Sequence, residues 1–263
     1  MTPEESRRLF LTFAGASLTL SACGKQNKLD REPPPTPTPA ASSSKPNADG
    51  KEEKDDDEDV GAVEDLMREH GVIRRILVVY RESAARLRVK PGPVPGAALH
   101  DAAQLMQTFA ENYHEKQLEE VHLFPAVKKA GGAAAALIDP LLAQHQRGRE
   151  LTEYLLNVTR GTLGASNVEP LARALEGFAR MYEAHAAQED TIVFPAWKKS
   201  LSKKQLSDMG ELFEDIEHKT FGKDGFDDAN EKIAAIEATL GLTLSAMTAP
   251  PPPALPPAPA SKK

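Results

Sequence analysis

The chain has 263 residues, 40% hydrophobic and only 5% aromatic, with a formal net charge of −7. An acidic, aliphatic composition suits a helical domain with a modest core and argues against nucleic acid as a partner, because phosphate recognition needs a basic patch. The single cysteine, Cys23, excludes an intramolecular disulfide and a cysteine-based metal site.

The N-terminus reads as an address. Ser6-Arg7-Arg8-Leu9-Phe10-Leu11 resembles the twin-arginine export signal, without the Lys that usually follows. The apolar stretch from Leu9 to Ala22 is too short and too rich in small residues to be a comfortable membrane span. It closes on Leu20-Ser21-Ala22-Cys23, which resembles a bacterial lipobox, where the Cys becomes the lipid-modified first residue of the mature protein. Residues 1–23 are therefore expected to be a lipoprotein signal, with Cys23 lipidated and the protein anchored at the bacterial cell envelope, facing the periplasm or exterior. The twin-arginine route exports folded proteins, often with a cofactor inserted, which suits a metal site loaded in the cytoplasm. Gly24 stands where an Asp commonly retains such lipoproteins at the inner membrane.

Residues 24–60 are rich in Pro, Ser and Asp and are expected to be a disordered tether, since they cannot bury enough apolar surface to offset their ordering entropy. Residues 61–241 carry the folded domain, and residues 242–263 are expected to be a Pro-rich disordered tail. Within the domain the apolar pattern predicts a first helix with Leu66, His70, Ile73, Leu77 and Tyr80 on one stripe, stopped by Pro91-Gly92-Pro93. A second runs from about Pro95 to Lys129 and stops at Gly131-Gly132. A third starts near the Asp139-Pro140 cap and carries Leu141, Leu142, His145, Thr152 and Leu156. A fourth carries Leu171, Leu175, Phe178, Tyr182, His185, Glu189 and Ile192. A fifth, about Ser202 to Leu240, is expected to break near Gly222–Gly225 and to cover the bundle. With no alternating β-branched stretch and short connections, the fold class is all-α: an antiparallel up-down four-helix bundle with an additional C-terminal helix.

Each of the four long helices places one histidine on its apolar stripe: His70, His114, His145 and His185. Polar ligand types recurring in a core are costly unless something binds them. The second and fourth helices also carry matching tails. Glu119, Phe124, Pro125, Lys128 and Lys129 recur 70 residues later as Glu189, Phe194, Pro195, Lys198 and Lys199. His185 and Glu189 are four apart, so both reach one metal from one helix face. His114 and Glu119 are five apart, about 140° around a regular helix. A single-turn π-bulge would realign them. Alternatively Glu115 and Glu119 form the aligned pair and His114 binds from the flank. The bulge is favoured, with Glu115 as an extra candidate ligand. His100 and His122 are expected to be exposed, Tyr113 and Tyr182 to be core or ligand-supporting groups, and the Phe-Pro pairs to fill the bundle end.

Together the helix-borne histidines, the two Glu-to-Phe-Pro tails and Glu217-His218-Lys219 resemble the hemerythrin-like, or HHE cation-binding, family over about residues 60–240. The resemblance implies a hemerythrin-like four-helix bundle holding two non-haem irons bridged by carboxylates. His70, His114, His145 and His185 would be terminal ligands, with Glu119 and Glu189 bridging. Ligand type suits iron and also manganese or zinc. The oxygen-carrying hemerythrins place a second His one turn after that of the third helix, where this chain has Arg149. That departure favours sensing, or reaction with dioxygen, peroxide or nitric oxide, over reversible carriage. The expectation is a protein that binds or senses dioxygen or a related small oxidant, with a separate signalling or redox partner. The rival expectations are an enzyme that reduces peroxide or nitric oxide or oxidises ferrous iron, and a metal-free scaffold.

Overall fold

The structure, a computed structural model, describes residues 60–89 and 94–253. The export signal, Cys23, most of the tether, the Pro91-Gly92-Pro93 stop and residues 254–263 lie outside them. Among the described residues there is helix and turn but no strand, and no helix is long and apolar enough to cross a membrane.

Four long rods make the bundle. The first is α1 (Ala62–Val89). The second is continuous from α2 (Gly96–Leu105) through a π-helical stretch, Met106–Leu123, into α3 (Phe124–Ala130). After the one-turn α4 (Gly132–Ala135) the third rod is α5 (Ile138–Thr159). The fourth joins α6 (Val168–Gln188), a π turn at Glu189–Val193, and α7 (Phe194–Ser200). Polar pairs between rods give their directions. Along α1, Arg88, Arg81 and Arg74 meet Glu169, Glu183 and Asp190 of the fourth rod, so the two run antiparallel. His100 meets Thr159, Glu111 meets Thr152 and Glu120 meets His145, so the second and third rods are antiparallel too. This is the up-down bundle that the spacing predicts.

The core is aliphatic with aromatic plugs; Tyr80, Phe109, Phe178 and Trp197 are at most 1% exposed. The expected fifth helix is two helices, α8 (Lys203–Phe221) and α9 (Gly225–Thr239), both packed against α1. Local chemistry sets their ends. Ser202 and Gln205 form a capping box, and Gly222 takes a left-handed φ of 71° that ends α8. Asp224 then caps α9 by accepting from the Asp227 N–H.

Three expectations need correction. The third rod begins at Ile138 behind Leu137, not at an Asp139 cap, because α4 turns almost directly into it. Ile192 is 41% exposed while Val193 is buried, because the π turn after Glu189 carries the buried stripe one residue further. His100 and His122 are half-buried, His100 against Thr159 and His122 beside the Phe213 ring of α8.

Candidate metal centre

The site begins with a backbone feature common to the two Phe-Pro tails. Proline lacks an N–H, and its ring clashes with the carbonyl four residues back. At both Pro125 and Pro195 the preceding turn is widened: the Phe124 N–H bonds the Glu119 carbonyl and the Phe194 N–H bonds the Glu189 carbonyl, five residues back. In the second rod the wide turns extend upstream past His114. They absorb the one-residue slip, and His114 and Glu119 share a face although five apart. The widened stretch is eighteen residues long, not the single turn expected.

His70 and His145 lie in the first half of their rods and His114 and His185 just past the middle of theirs, so an up-down bundle gathers all four at one level. All are at most 3% exposed, and Glu119 and Glu189 are fully buried. Glu119 lies between two rods, its Oε1 3.4 Å from His114 Nε2 and its Oε2 3.3 Å from His145 Nε2. Glu189 also lies between two rods but through a single oxygen, its Oε2 3.0 Å from His185 Nε2 and 3.5 Å from His70 Nε2. The Nε2 atoms of His145 and His185 are 3.1 Å apart. Three groups able to hold an ion result: His145, His185, Glu119 and Glu189; His70, His114 and Glu119; and, on the Nδ1 side of His145, Glu115, Glu120 and His145.

Whether these residues fit metal can be tested on their polar atoms. Both oxygens of Glu119, both of Glu189 and the Nε2 of His114 are buried without a hydrogen-bond partner among the described residues. Five such atoms converging in a core carry a large desolvation cost that cations would offset. Burial pushes the His114 ring down, but the charges of Glu119 and Glu69 outweigh it and hold the ring well above the ordinary imidazole range. His145 is likewise held up to about 10, with burial outweighed by Glu115, Glu119 and Glu120. Protons thus compete for these donors, and a bound cation would displace them.

The Nδ1 side of each ring is also occupied. His70 pairs with Asp190 Oδ1 at 2.7 Å, His114 with Glu69 Oε2 at 2.5 Å, His145 with Glu120 Oε1 at 2.9 Å and His185 with Gln144 Oε1 at 2.9 Å. Such partners fix the tautomer, so that Nε2 is left as the ligand atom. Each partner is the sequence neighbour of a ligand candidate on another rod. The sequence reading missed all four, although Glu120 and Asp190 repeat over 70 residues as Glu119 and Glu189 do. The Phe-Pro phenylalanines do more than fill the bundle end: Phe194 stacks on His70 at 5.2 Å and Phe124 on His145 at 5.4 Å between ring centroids.

Glu115 does not join the two groups around Glu119 and Glu189. Its carboxylate accepts from the Tyr182 hydroxyl at 2.6 Å and from Arg149 at 3.3 Å, and approaches only the Nδ1 side of His145, at 3.9 Å. The register in which Glu115 aligns with Glu119 is not the one adopted, because the π turns give that face to His114. Gly148 makes the Tyr182 contact possible: a Cβ there would lie 2.0 Å from the phenol oxygen. Arg149 pairs with Glu120 as well as Glu115. Tyr113 is fully buried among Phe109 and Phe221, and His218 is exposed on α8.

Comparison with known proteins agrees with this geometry. The hemerythrin HHE cation binding domain model matches residues 61–197, which contain all four histidines and both glutamates. Uncharacterized proteins of Mycobacterium tuberculosis and Mycobacterium bovis are each 44% identical over 187 residues, covering 70% of this chain and 71% of the relative. No solved structure matches the chain. The chain is a metal-binding helical protein, and it belongs to the hemerythrin HHE cation-binding family.

Proposed function

We propose that the chain holds two irons and binds or senses dioxygen or a related small oxidant at the bacterial cell envelope, anchored through lipidated Cys23. The observation that carries this reading is the pair of fully buried carboxylates, Glu119 and Glu189, each lying between histidines of two rods with both oxygens unpartnered. His70 and His114 would hold one ion and His145 and His185 the other, with Glu119 and Glu189 shared. When bound, such a pair supplies a redox-active centre for a diatomic ligand or peroxide.

The chain's own groups orient and protect that centre. Asp190, Glu69, Glu120 and Gln144 turn the four Nε2 atoms inward, and the Phe124 and Phe194 rings keep water off two imidazoles. Arg149, at the position of the carrier's extra His, is engaged by Glu115 and Glu120, which supports sensing or reaction over reversible carriage. A sensor of this kind would pass its state to a separate signalling or redox partner.

One feature favours an enzyme as the second reading, one that reduces peroxide or nitric oxide or oxidises ferrous iron. Buried titratable groups stand beside the centre: Glu115 lies 3.9 Å from His145 Nδ1, Tyr182 bonds Glu115 and packs on the His185 ring, and Glu111 lies one turn before Glu115. Metal analysis of the purified protein is expected to return two irons per chain, and His185→Ala to remove at least one. Manganese or zinc in their place would overturn the iron assignment. Stopped-flow mixing of the anaerobically reduced protein with dioxygen separates the readings. A stable, reversible charge-transfer band supports binding, and rapid irreversible oxidation with turnover supports the enzyme. An iron content unchanged by His185→Ala would sink both.

A further inference from the structure

Around the four histidines the internal duplication is chemically kept except at one pair. Asp190 and Glu120, 70 residues apart, bond Nδ1 of His70 and His145, and each carboxylate is shared with an arginine, Arg74 or Arg149. Those contributions match and cancel when the two halves are compared. Glu115 adds little to the His145 side, at 3.9 Å from Nδ1 and itself sharing Arg149.

Glu69 and Gln144 are likewise equivalent, each the residue before the histidine of its rod, and they bond Nδ1 of His114 and His185. Here the chemistry differs. Glu69 offers a carboxylate that is fully buried, has one oxygen without a hydrogen-bond partner, and among the described residues forms an ion pair only with His114. Gln144 offers a neutral amide oxygen and is half-buried. A carboxylate with no cation to share, in a low-dielectric core, draws the Nδ1 proton strongly and makes the opposite Nε2 a stronger donor than an amide can.

We infer that the two metal positions are inequivalent, and that Glu69, acting through His114, makes the His70/His114 position the tighter and the first to fill. This rests on the dinuclear reading above. Glu69 is a positioning residue in this role.

Anaerobic titration of the full chain with Co²⁺, followed by the visible bands of the bound ion, tests it. The wild-type protein should fill in two steps. Glu69→Gln should weaken the first by about 10- to 100-fold and shift its band, leaving the second unchanged. Gln144→Glu should tighten only the second, a gain that misfolding cannot produce. In a His185→Ala background, which keeps the His70/His114 pair, Glu69→Gln should still weaken the remaining ion; in a His114→Ala background it should change nothing. Two equal steps in the wild type, or Glu69→Gln and Gln144→Glu moving both steps alike, overturn the inequivalence. Fewer than two ions per chain at saturation overturns the dinuclear reading instead, and is read from the stoichiometry alone.

Discussion

Glu111 lies one turn before His114 on the second rod, 2% exposed, and accepts a 2.5 Å bond from the Thr152 hydroxyl. Burial, helped by the nearby Glu115 charge and opposed by the Thr152 bond, raises its carboxyl to about 7. A carboxyl whose folded pKa lies above its unfolded value stabilises the fold in its protonated form. That contribution is complete below about pH 4 and is lost as pH rises through about 7. Glu111→Gln keeps an acceptor for Thr152 and removes the charge. At equal metal loading it should be close to neutral at pH 4.5 and stabilising by about 2 kcal/mol at pH 8. Urea melts of both proteins at the two pH values check this; equal stabilisation at both would show that Glu111 does not titrate in that window. Asp65, also raised to about 7 by burial and by Glu69 and Glu217, adds a slope of the same sign.

At the scale of the element, the widened second rod is what lets a chain with one residue too many between His114 and Glu119 still build the centre. Its buried stripe keeps three- and four-residue steps as far as His114, then takes five to Glu119 and four more to Leu123. Lys116, in that interval, is exposed and, among the described residues, bonds only Asn112 one turn back. Deleting Lys116 would give the His-to-Glu spacing of four found in the fourth rod, so metal content should be kept, in a regular helix. Inserting an alanine after Lys116 makes the spacing six, about 240° around a regular helix, and should abolish metal binding. Metal content with circular dichroism decides, and loss of metal in the deletion variant would mean that the π turns are themselves required. The slip was legible in the sequence as a failure of the 70-residue register. Its extent was not, because backbone widening depends on the Phe-Pro turn and on which neighbours the rod must face. The exposure of Ile192 has the same origin.

Over the whole molecule, the centre ties together four rods whose polar atoms it leaves otherwise unpaired, so fold stability and metal loading should be linked. At a metal concentration about 100 times Kd, binding adds about 2.7 kcal/mol, or about 5–10 °C in Tm for a domain of this size. Chelation should lower Tm by that order and readdition of metal restore it. A Tm indifferent to chelation would mean that the ions lie outside the folded core. The sequence by itself determined the helical class, the positions of the four rods and the break at Gly222–Gly225, because periodicity, caps and glycine are local signals. It also singled out His70, His114, His145, His185, Glu119 and Glu189, because polar residues on apolar stripes stand out in one dimension. Only the tertiary structure decided that Glu115 faces Tyr182 and Arg149, and that Glu69, Gln144, Glu120 and Asp190 close the far side of each imidazole. Those contacts join residues 25 to 120 positions apart. They exist only once antiparallel rods are packed in register, and no spacing along a single helix encodes them.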